Sequence, residues 1–278
     1  MDGVARILIE RLAPRTGRSF VAENRTGAGG DIAAASVAKA APDGRQWFFT
    51  TDSVLTINPH MNPNRSYDPA ALTAVSKIGE VVLLLAVNAQ KIEAKTFAEL
   101  VQLSAKRDLS FGSAGVGSPG HMAFEYLRAV SPLKGVHVPY RGAALALQDL
   151  VSGQIDASFI VAGVLVPHVK SGALRALAVS ANKRIADLPD VPTAQQAGIA
   201  DFEARFANIL MAPSATSPAL LAYMENETLA IARDPDFIAK LKSLSNEAES
   251  GSSIEAATWI VRERERWGKV IAKNKPAQ

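Results

Sequence analysis

The chain has 278 residues, of which 48% are hydrophobic and 21% are charged. At about 150 residues per domain this length predicts two domains. The absence of cysteine excludes disulfides, thiolate metal sites and a cysteine nucleophile. A net charge of +3 is too small to indicate a nucleic-acid-binding face. The longest apolar run, residues 81–87, is far shorter than the roughly 20 residues that span a bilayer.

The first part of the chain alternates between helical and extended patterns. Apolar spacing predicts a helix over residues 2–12 with Asp2 as its N-cap. The elements expected next are a strand at 19–22, a glycine-rich turn at 27–30, a helix from Asp31 to about 41 and a strand at 46–50. The run 81–87 is typical of a strand buried on both faces.

The same alternation continues to the C-terminus. The expected elements are a helix at 96–106, a strand at 109–111, a glycine loop at 112–120 with a helix to 128, a strand at 135–139, a helix to 150, and strands at 155–160, 174–179 and 206–211. Ser217 before a proline and a capping box of Ser252 and Glu255 predict two C-terminal helices. This order predicts an α/β architecture with largely parallel sheets. We expect one domain from residues 1–87 and 207–278 and a second from 88–206.

The motif Gly115-Val116-Gly117-Ser118-Pro119-Gly120 matches G-x-G-x-x-G, follows a predicted strand and opens a helix. One interpretation is an anion site, because backbone N–H groups at the positive end of a helix can hold a carboxylate. A second is an NADP site with Arg141 on the 2′-phosphate. A third is a tight turn with a capped helix and no ligand. For the anion site, Ser118 is the expected N-cap, and the groups that would face the ligand belong to Ser113, Ala114, Gly115 and Gly117.

Two further segments are polar enough to be considered. Thr50, Thr51, Asp52 and Ser53 follow a strand and would either line a polar cleft or form a turn that caps the next helix. Of the four histidines, only His121 lies close enough to the glycine loop to contact a ligand or support the loop. The patterns of a nucleophilic serine, a zinc protease and a phosphate-binding loop are missing from the sequence, so covalent, metal and phosphoryl-transfer catalysis are not indicated.

Several segments together resemble the Bug-type receptors of tripartite tricarboxylate transporters, and their order matches along almost the whole chain. They are VAENRTGAGGDIAAASVAKAAPDG (21–44), TINPHM (56–61), FGSAGVGSPGHMA (111–123), VHVPYRGAALALQDLVSGQID (136–156), PHVKSGALRALAVS (167–180), RIADLPDVPTAQQAG (184–198) and ERWGKVI (265–271). The resemblance implies a two-domain periplasmic binding protein of type II, without enzymatic activity or cofactor. Its domains would close on a small carboxylate and deliver it to the membrane subunits of the transporter.

The resemblance also implies where the ligand binds. The ligand loop of the second domain corresponds to residues 113–121, including Ser118 and His121, and its counterpart in the first domain to residues 50–53. Arg141 and Gly142 border the cleft, and Phe206 occupies a position where the family often has an aromatic residue facing the ligand.

Two departures from the family pattern are visible. Family members begin with a signal peptide, a first strand and a Pro/Gly-rich loop, so we expect such a segment upstream of Met1. Asp52 stands where a small neutral residue is expected, and a carboxylate there would repel an anion unless it is paired or protonated. The alternatives that remain are an NADP-dependent reductase and a truncated pseudo-receptor.

Overall fold

The fold was analysed in a computed structural model, which describes residues 1–62, 64–200, 202 and 204–274. The chain divides into two compact units. Unit 1 comprises Met1–Val81 and Phe206–Gly268, and unit 2 comprises Val82–Arg205 with Lys269 and the residues after it.

The elements alternate along the chain, as the sequence patterns indicate. The strands in the described residues are β1 (Phe48–Thr51), β2 (Leu72–Val81), β3 (Leu83–Asn88), β4 (Ser110–Ser113), β5 (Val136–Pro139), β6 (Ala157–Val161), β7 (Leu174–Val179), β8 (Phe206–Pro213) and β9 (Asn246–Glu247). The α-helices are α1 (Asp2–Thr16), α2 (Asp31–Ala38), α3 (Ser53–Thr56), α4 (Asn58–Met61), α5 (Phe97–Ser104), α6 (Pro119–Val130), α7 (Ala143–Ser152), α8 (Ala162–Lys170), α9 (Pro218–Ala232), α10 (Pro235–Ser243) and α11 (Ser253–Asn274).

The sheet of unit 1 has the order β1-β8-β2-β9, and its described pairs are antiparallel. The expectation of largely parallel sheets is therefore wrong for this unit. Strands β1 and β2 run in the same direction, so the chain between them forms a crossover connection and not a hairpin. They are not neighbours, however, because β8 lies between them and pairs with both in the opposite direction.

The sheet of unit 2 is mixed, with the order β5-β4-β6-β3-β7. Strand β4 pairs in parallel with β5 and β6, as expected, whereas β3 pairs antiparallel with β6 and β7. Because β3 belongs to this sheet, the first domain boundary lies after Val81 and not after residue 87. Residues 269–274 also belong with unit 2, whereas the sequence patterns placed them in domain 1.

Several local predictions are confirmed by side-chain hydrogen bonds. Thr96, Ser118 and Ser217 accept N–H groups at the starts of α5, α6 and α9. The capping box is present, because the Ser252 N–H donates to Glu255 Oε2 at 2.7 Å and the Glu255 N–H donates to Ser252 Oγ at 3.3 Å.

Other local predictions are wrong. Residues 19–22 form no strand, and β2 and α8 were not expected. The run 81–87 is divided between the end of β2 and β3, because the chain passes from one sheet to the other at Val82. The N-cap of α1 is Met1, and Asp2 instead pairs with Arg6 in the first turn. The Asp31 side chain does not cap α2; it accepts a hydrogen bond from Asn58 Nδ2 at 2.7 Å.

Each unit has its own core. In unit 1, Val4, Leu8 and Leu12 of α1 are buried in a cluster with residues of β2, β8, α9 and α10. In unit 2, apolar residues of β3 and β6 form a cluster with residues of α7 and α8. The two candidate loops follow β1 in unit 1 and β4 in unit 2.

Candidate functional site

The glycine loop of unit 2 connects the end of β4 to the start of α6. Ser118 is the N-cap of the helix and Pro119 is its first residue, so the predicted strand, loop and helix order is confirmed. Gly115 (φ +127°) and Gly117 (φ +76°) have backbone conformations that residues with a side chain rarely adopt. At Gly120, an added Cβ would lie only 1.8 Å from the carbonyl oxygen of Phe159 in β6. The glycines therefore allow both the turn and the close packing of α6 on β6.

The Ser113 hydroxyl lies at the centre of a hydrogen-bond network. Its Oγ accepts the Gly115 N–H at 3.1 Å and the Ser118 hydroxyl at 3.3 Å, and it lies 2.7 Å from His137 Nε2. A hydroxyl oxygen has two lone pairs, which these two donors already use. The single Ser113 proton has two neighbours that can accept it, His137 Nε2 and the Gly115 carbonyl oxygen, which lies 3.1 Å from Oγ.

Two histidines close the other side of the loop. The rings of His121 and His137 stack with centroids 3.9 Å apart, and the Gly117 N–H donates to His121 Nδ1 at 3.1 Å. Burial, together with the nearby His137 and Arg128, lowers the pKa of His121 to about 3. Burial also lowers the pKa of His137 to about 4. Both rings are therefore neutral near pH 7.

The N–H groups of this loop fall into two sets. Those of Gly115 and Gly117 donate within the loop, so they are not available to a ligand in this geometry. Those of Ala114 and Val116 have no hydrogen-bond partner among the described residues. Val116 is 53% exposed, so this residue lies at the surface of unit 2.

The turn after β5 carries the second predicted group of unit 2. The Arg141 side chain is exposed, and Gly142 (φ +122°) precedes the first residue of α7. The preceding Tyr140 is anchored twice: its N–H donates to the Ser113 carbonyl oxygen at 3.0 Å, and its hydroxyl donates to Asp149 Oδ2 at 2.6 Å. Arg141 therefore follows directly on a residue bonded to the glycine loop.

The predicted loop of unit 1 is buried. The exposed fraction is 2% for Thr50, 7% for Thr51 and 2% for Ser53. The hydroxyl oxygens of Thr51 and Ser53 lie 2.8 Å apart, so these side chains bond to each other at the start of α3.

Asp52 is fully buried, and both of its carboxyl oxygens have partners within unit 1. Oδ2 accepts the indole N–H of Trp259 in α11 at 2.6 Å, and Oδ1 accepts the Ala207 N–H of β8 at 3.2 Å. Burial raises the pKa of Asp52 to about 7, and the nearby Glu263 carboxylate acts in the same direction. The carboxyl group thus links β1, β8 and α11, and near neutral pH a large share of it is protonated.

Phe206, the first residue of β8, is also fully buried. Its ring stacks on Trp267 of α11 with centroids 5.3 Å apart. In the described structure this ring packs within unit 1 and is not exposed to a ligand.

Three residues of these networks were not singled out in the sequence: His137, Trp259 and Trp267. The place of His137 follows from the two strands predicted around residues 109–111 and 135–139. If these strands pair in parallel, as β4 and β5 do, His137 lies opposite Phe111, two residues before Ser113. For Trp259 there is no local signal, since 207 positions separate it from Asp52.

The fold of two α/β units, with a capped glycine loop after β4, is that of a solute-binding protein. The chain matches the family model described as "Tripartite tricarboxylate transporter family receptor" over residues 4–275. It therefore belongs to this family of solute-binding receptors.

Curated relatives agree with this assignment. The chain is 35% identical over 247 residues to the UPF0065 protein of the TAR-I ttuE-ttuC′ intergenic region of Agrobacterium vitis, covering 87% of this chain and 70% of the relative. It is 30% identical over 234 residues to protein BugT of Bordetella pertussis, and the match covers 82% of this chain and 72% of BugT.

Solved structures agree as well. A protein of R. palustris solved with adipate has a TM-score of 0.93 at 29% identity, covering 98% of this chain and 92% of that one. MatC of Rhodopseudomonas palustris with bound malate has a TM-score of 0.88 at 28% identity, and the match covers 97% of this chain and 94% of MatC. The periplasmic binding protein BugD has a TM-score of 0.89 at 26% identity, covering 98% and 92%. The family and these neighbours consist of receptors and so give no support to the NADP-dependent reductase.

Among the described residues, no helix combines the length and the apolar character needed to cross a membrane.

Proposed function

We propose that this chain captures a small carboxylate in the periplasm and delivers it to the membrane subunits of a tripartite tricarboxylate transporter. The observation that carries the proposal is the glycine loop of unit 2. It presents the N–H groups of Ala114 and Val116, which have no hydrogen-bond partner within the described part of the chain, next to the N-terminus of α6. Backbone donors at the positive end of a helix suit an anion.

The class of ligand follows from the hydrogen-bond accounting. The Gly115 and Gly117 N–H groups and the Ser113 hydroxyl are used within the loop and by His121 and His137, so the groups available to a ligand are the N–H donors of Ala114 and Val116. A carboxylate supplies acceptors and no donor. The adipate and malate bound to two structural neighbours belong to the same chemical class.

We assign the predicted residues two different roles. Ala114, Val116 and Arg141 would contact the ligand, with Ser113, Gly115, Gly117, Ser118, His121 and Gly142 shaping the two turns that present them. In unit 1, Asp52 and Phe206 would be structural, because their side chains are occupied by Trp259 and Trp267. The capture of the ligand by both units, and contacts from Thr50, Thr51 and Ser53, stay predictions of the family resemblance.

Ligand-dependent stabilisation tests this function. The purified chain is titrated with adipate, malate, other mono- and dicarboxylates and, as a matched control, adipamide, which replaces both carboxylates by neutral amides. A ligand at ten times its Kd raises the free energy of unfolding by about 1.4 kcal/mol. We expect at least one carboxylate to give this shift and adipamide to give none.

Two outcomes would contradict the proposal. A folded protein that responds to none of the carboxylates would indicate a pseudo-receptor that has lost its ligand. Saturable binding of NADPH, followed by fluorescence, would favour the reductase instead.

A further inference from the structure

The stacked pair of His121 and His137 is more than packing, because each ring forms a hydrogen bond with a different part of the glycine loop. His121 Nδ1 accepts the Gly117 N–H at 3.1 Å. His137 Nε2 lies 2.7 Å from the Ser113 hydroxyl. The two bonds hold the loop at Ser113, where β4 ends, and at Gly117, just before the helix cap.

We propose that His121 and His137 are positioning residues for the ligand, acting as a neutral, hydrogen-bonded pair that holds the loop so that the Ala114 and Val116 N–H groups stay free for a carboxylate. This inference rests on the proposed function and names two side chains that would act through the loop without touching the ligand.

The tautomer of His121 follows from its partner. Because Nδ1 of His121 accepts the Gly117 N–H, the proton of the neutral ring is on Nε2, which lies 3.9 Å from Glu125 Oε1. A proton added to Nδ1 of His121 would remove this bond to the loop.

The surroundings keep both rings neutral over the working pH range. His121 is 7% exposed, and the charged groups that bear on it are Glu125 and Arg128 of α6. On β5 the facing titratable group is His137 itself, whose burial lowers its pKa to about 4. We therefore expect the two histidines to contribute no pH dependence to ligand affinity between pH 5.5 and 8, because they become charged only below about pH 4.

The test distinguishes rings that hold the loop through hydrogen bonds from rings that only fill space. His121→Asn keeps an acceptor oxygen near the place of Nδ1, and His137→Gln keeps a polar group near the place of Nε2. We expect His121→Ala and His137→Ala to weaken malate or adipate binding at least tenfold, and His121→Asn and His137→Gln to remain within about threefold of the original protein. His168→Ala, on α8 of the same unit, is the matched control and should bind normally.

A readout without ligand keeps the two proposals distinguishable. Amide hydrogen exchange at Gly117 should be slow in the original protein and in His121→Asn, and fast in His121→Ala. If no carboxylate binds but this pattern is found, the proposed function fails and the role of His121 in shaping the loop stands. Unchanged exchange at Gly117 in His121→Ala, or an affinity that falls with an apparent pKa near 6.5, would overturn the role of the histidine pair.

Discussion

The contact between α6 and β6 can be tested by adding a single methyl group at Gly120. In the structure a Cβ at this position lies 1.8 Å from the Phe159 carbonyl oxygen and 3.1 Å from its carbonyl carbon. Because Cβ contacts below 3.0 Å essentially do not occur, the helix or the strand must move by about 1.2 Å. Both atoms belong to the backbone, so no side-chain rotation relieves the clash.

The expected cost of Gly120→Ala follows from two opposing effects. Overpacking of this kind costs about 1–3 kcal/mol. Alanine gains up to about 1 kcal/mol over glycine inside a helix, and less in the first turn. We expect unit 2 to lose about 2 kcal/mol and carboxylate binding to weaken, because α6 carries the end of the glycine loop.

Urea unfolding, followed by tryptophan fluorescence and by circular dichroism, shows which unit is destabilised. The three tryptophans, Trp47, Trp259 and Trp267, all lie in unit 1. Their fluorescence therefore reports on unit 1, whereas circular dichroism reports on the helices of both units. Gly120→Ala should shift the circular dichroism transition to lower urea and move the fluorescence transition less.

A matched control is available in unit 1. Gly3, like Gly120, is the second residue of its helix, and its added Cβ would meet only the flexible end of Leu244 at 3.3 Å. Gly3→Ala should be neutral or slightly stabilising. If Gly120→Ala leaves unit 2 within about 0.5 kcal/mol of the original protein, the close packing of α6 on β6 is refuted.

The remaining predictions concern unit 1. The pKa of Asp52 in the folded protein, about 7, lies above the ordinary value of 3.8. Between pH 4 and 7 this group therefore binds more protons in the folded state than in the unfolded state. Its contribution to stability falls as pH rises through that range, by up to about 1.4 kcal/mol per pH unit. The difference in unfolding free energy between the original protein and Asp52→Asn should show this slope; a difference independent of pH would contradict it. Thr228→Val should cost about 1–2 kcal/mol in urea unfolding, because the buried Thr228 hydroxyl lies 2.8 Å from Ser76 Oγ, whereas Thr258→Val on the exposed face of α11 should cost less than 0.5 kcal/mol. Ser252→Ala should cost about 1 kcal/mol through loss of the N-terminal cap of α11, and thermal unfolding equal to that of the original protein would contradict that role.

The amino-acid sequence by itself determined the features that depend on neighbouring residues. Ser118, Ser217 and the Ser252–Glu255 box cap their helices as predicted, because a side chain reaches an N–H group only two or three residues away. The glycine loop between β4 and α6 was predicted on the same local grounds. The family resemblance, carried by motifs spread along the chain, was confirmed over residues 4–275.

The features that only the tertiary structure decided depend on segments far apart in the chain. The antiparallel sheet of unit 1 arises because β8 inserts between β1 and β2, and a local alternation of strands and helices carries no information about such an insertion. Asp52 looked like a ligand contact because its polar neighbours suggested a cleft, yet Trp259 and Ala207 take up its carboxyl oxygens. His121 and His137 meet because β5 pairs with β4 beside α6. Burial and hydrogen bonding by distant residues set the charge of these groups, so their protonation states follow from the packing.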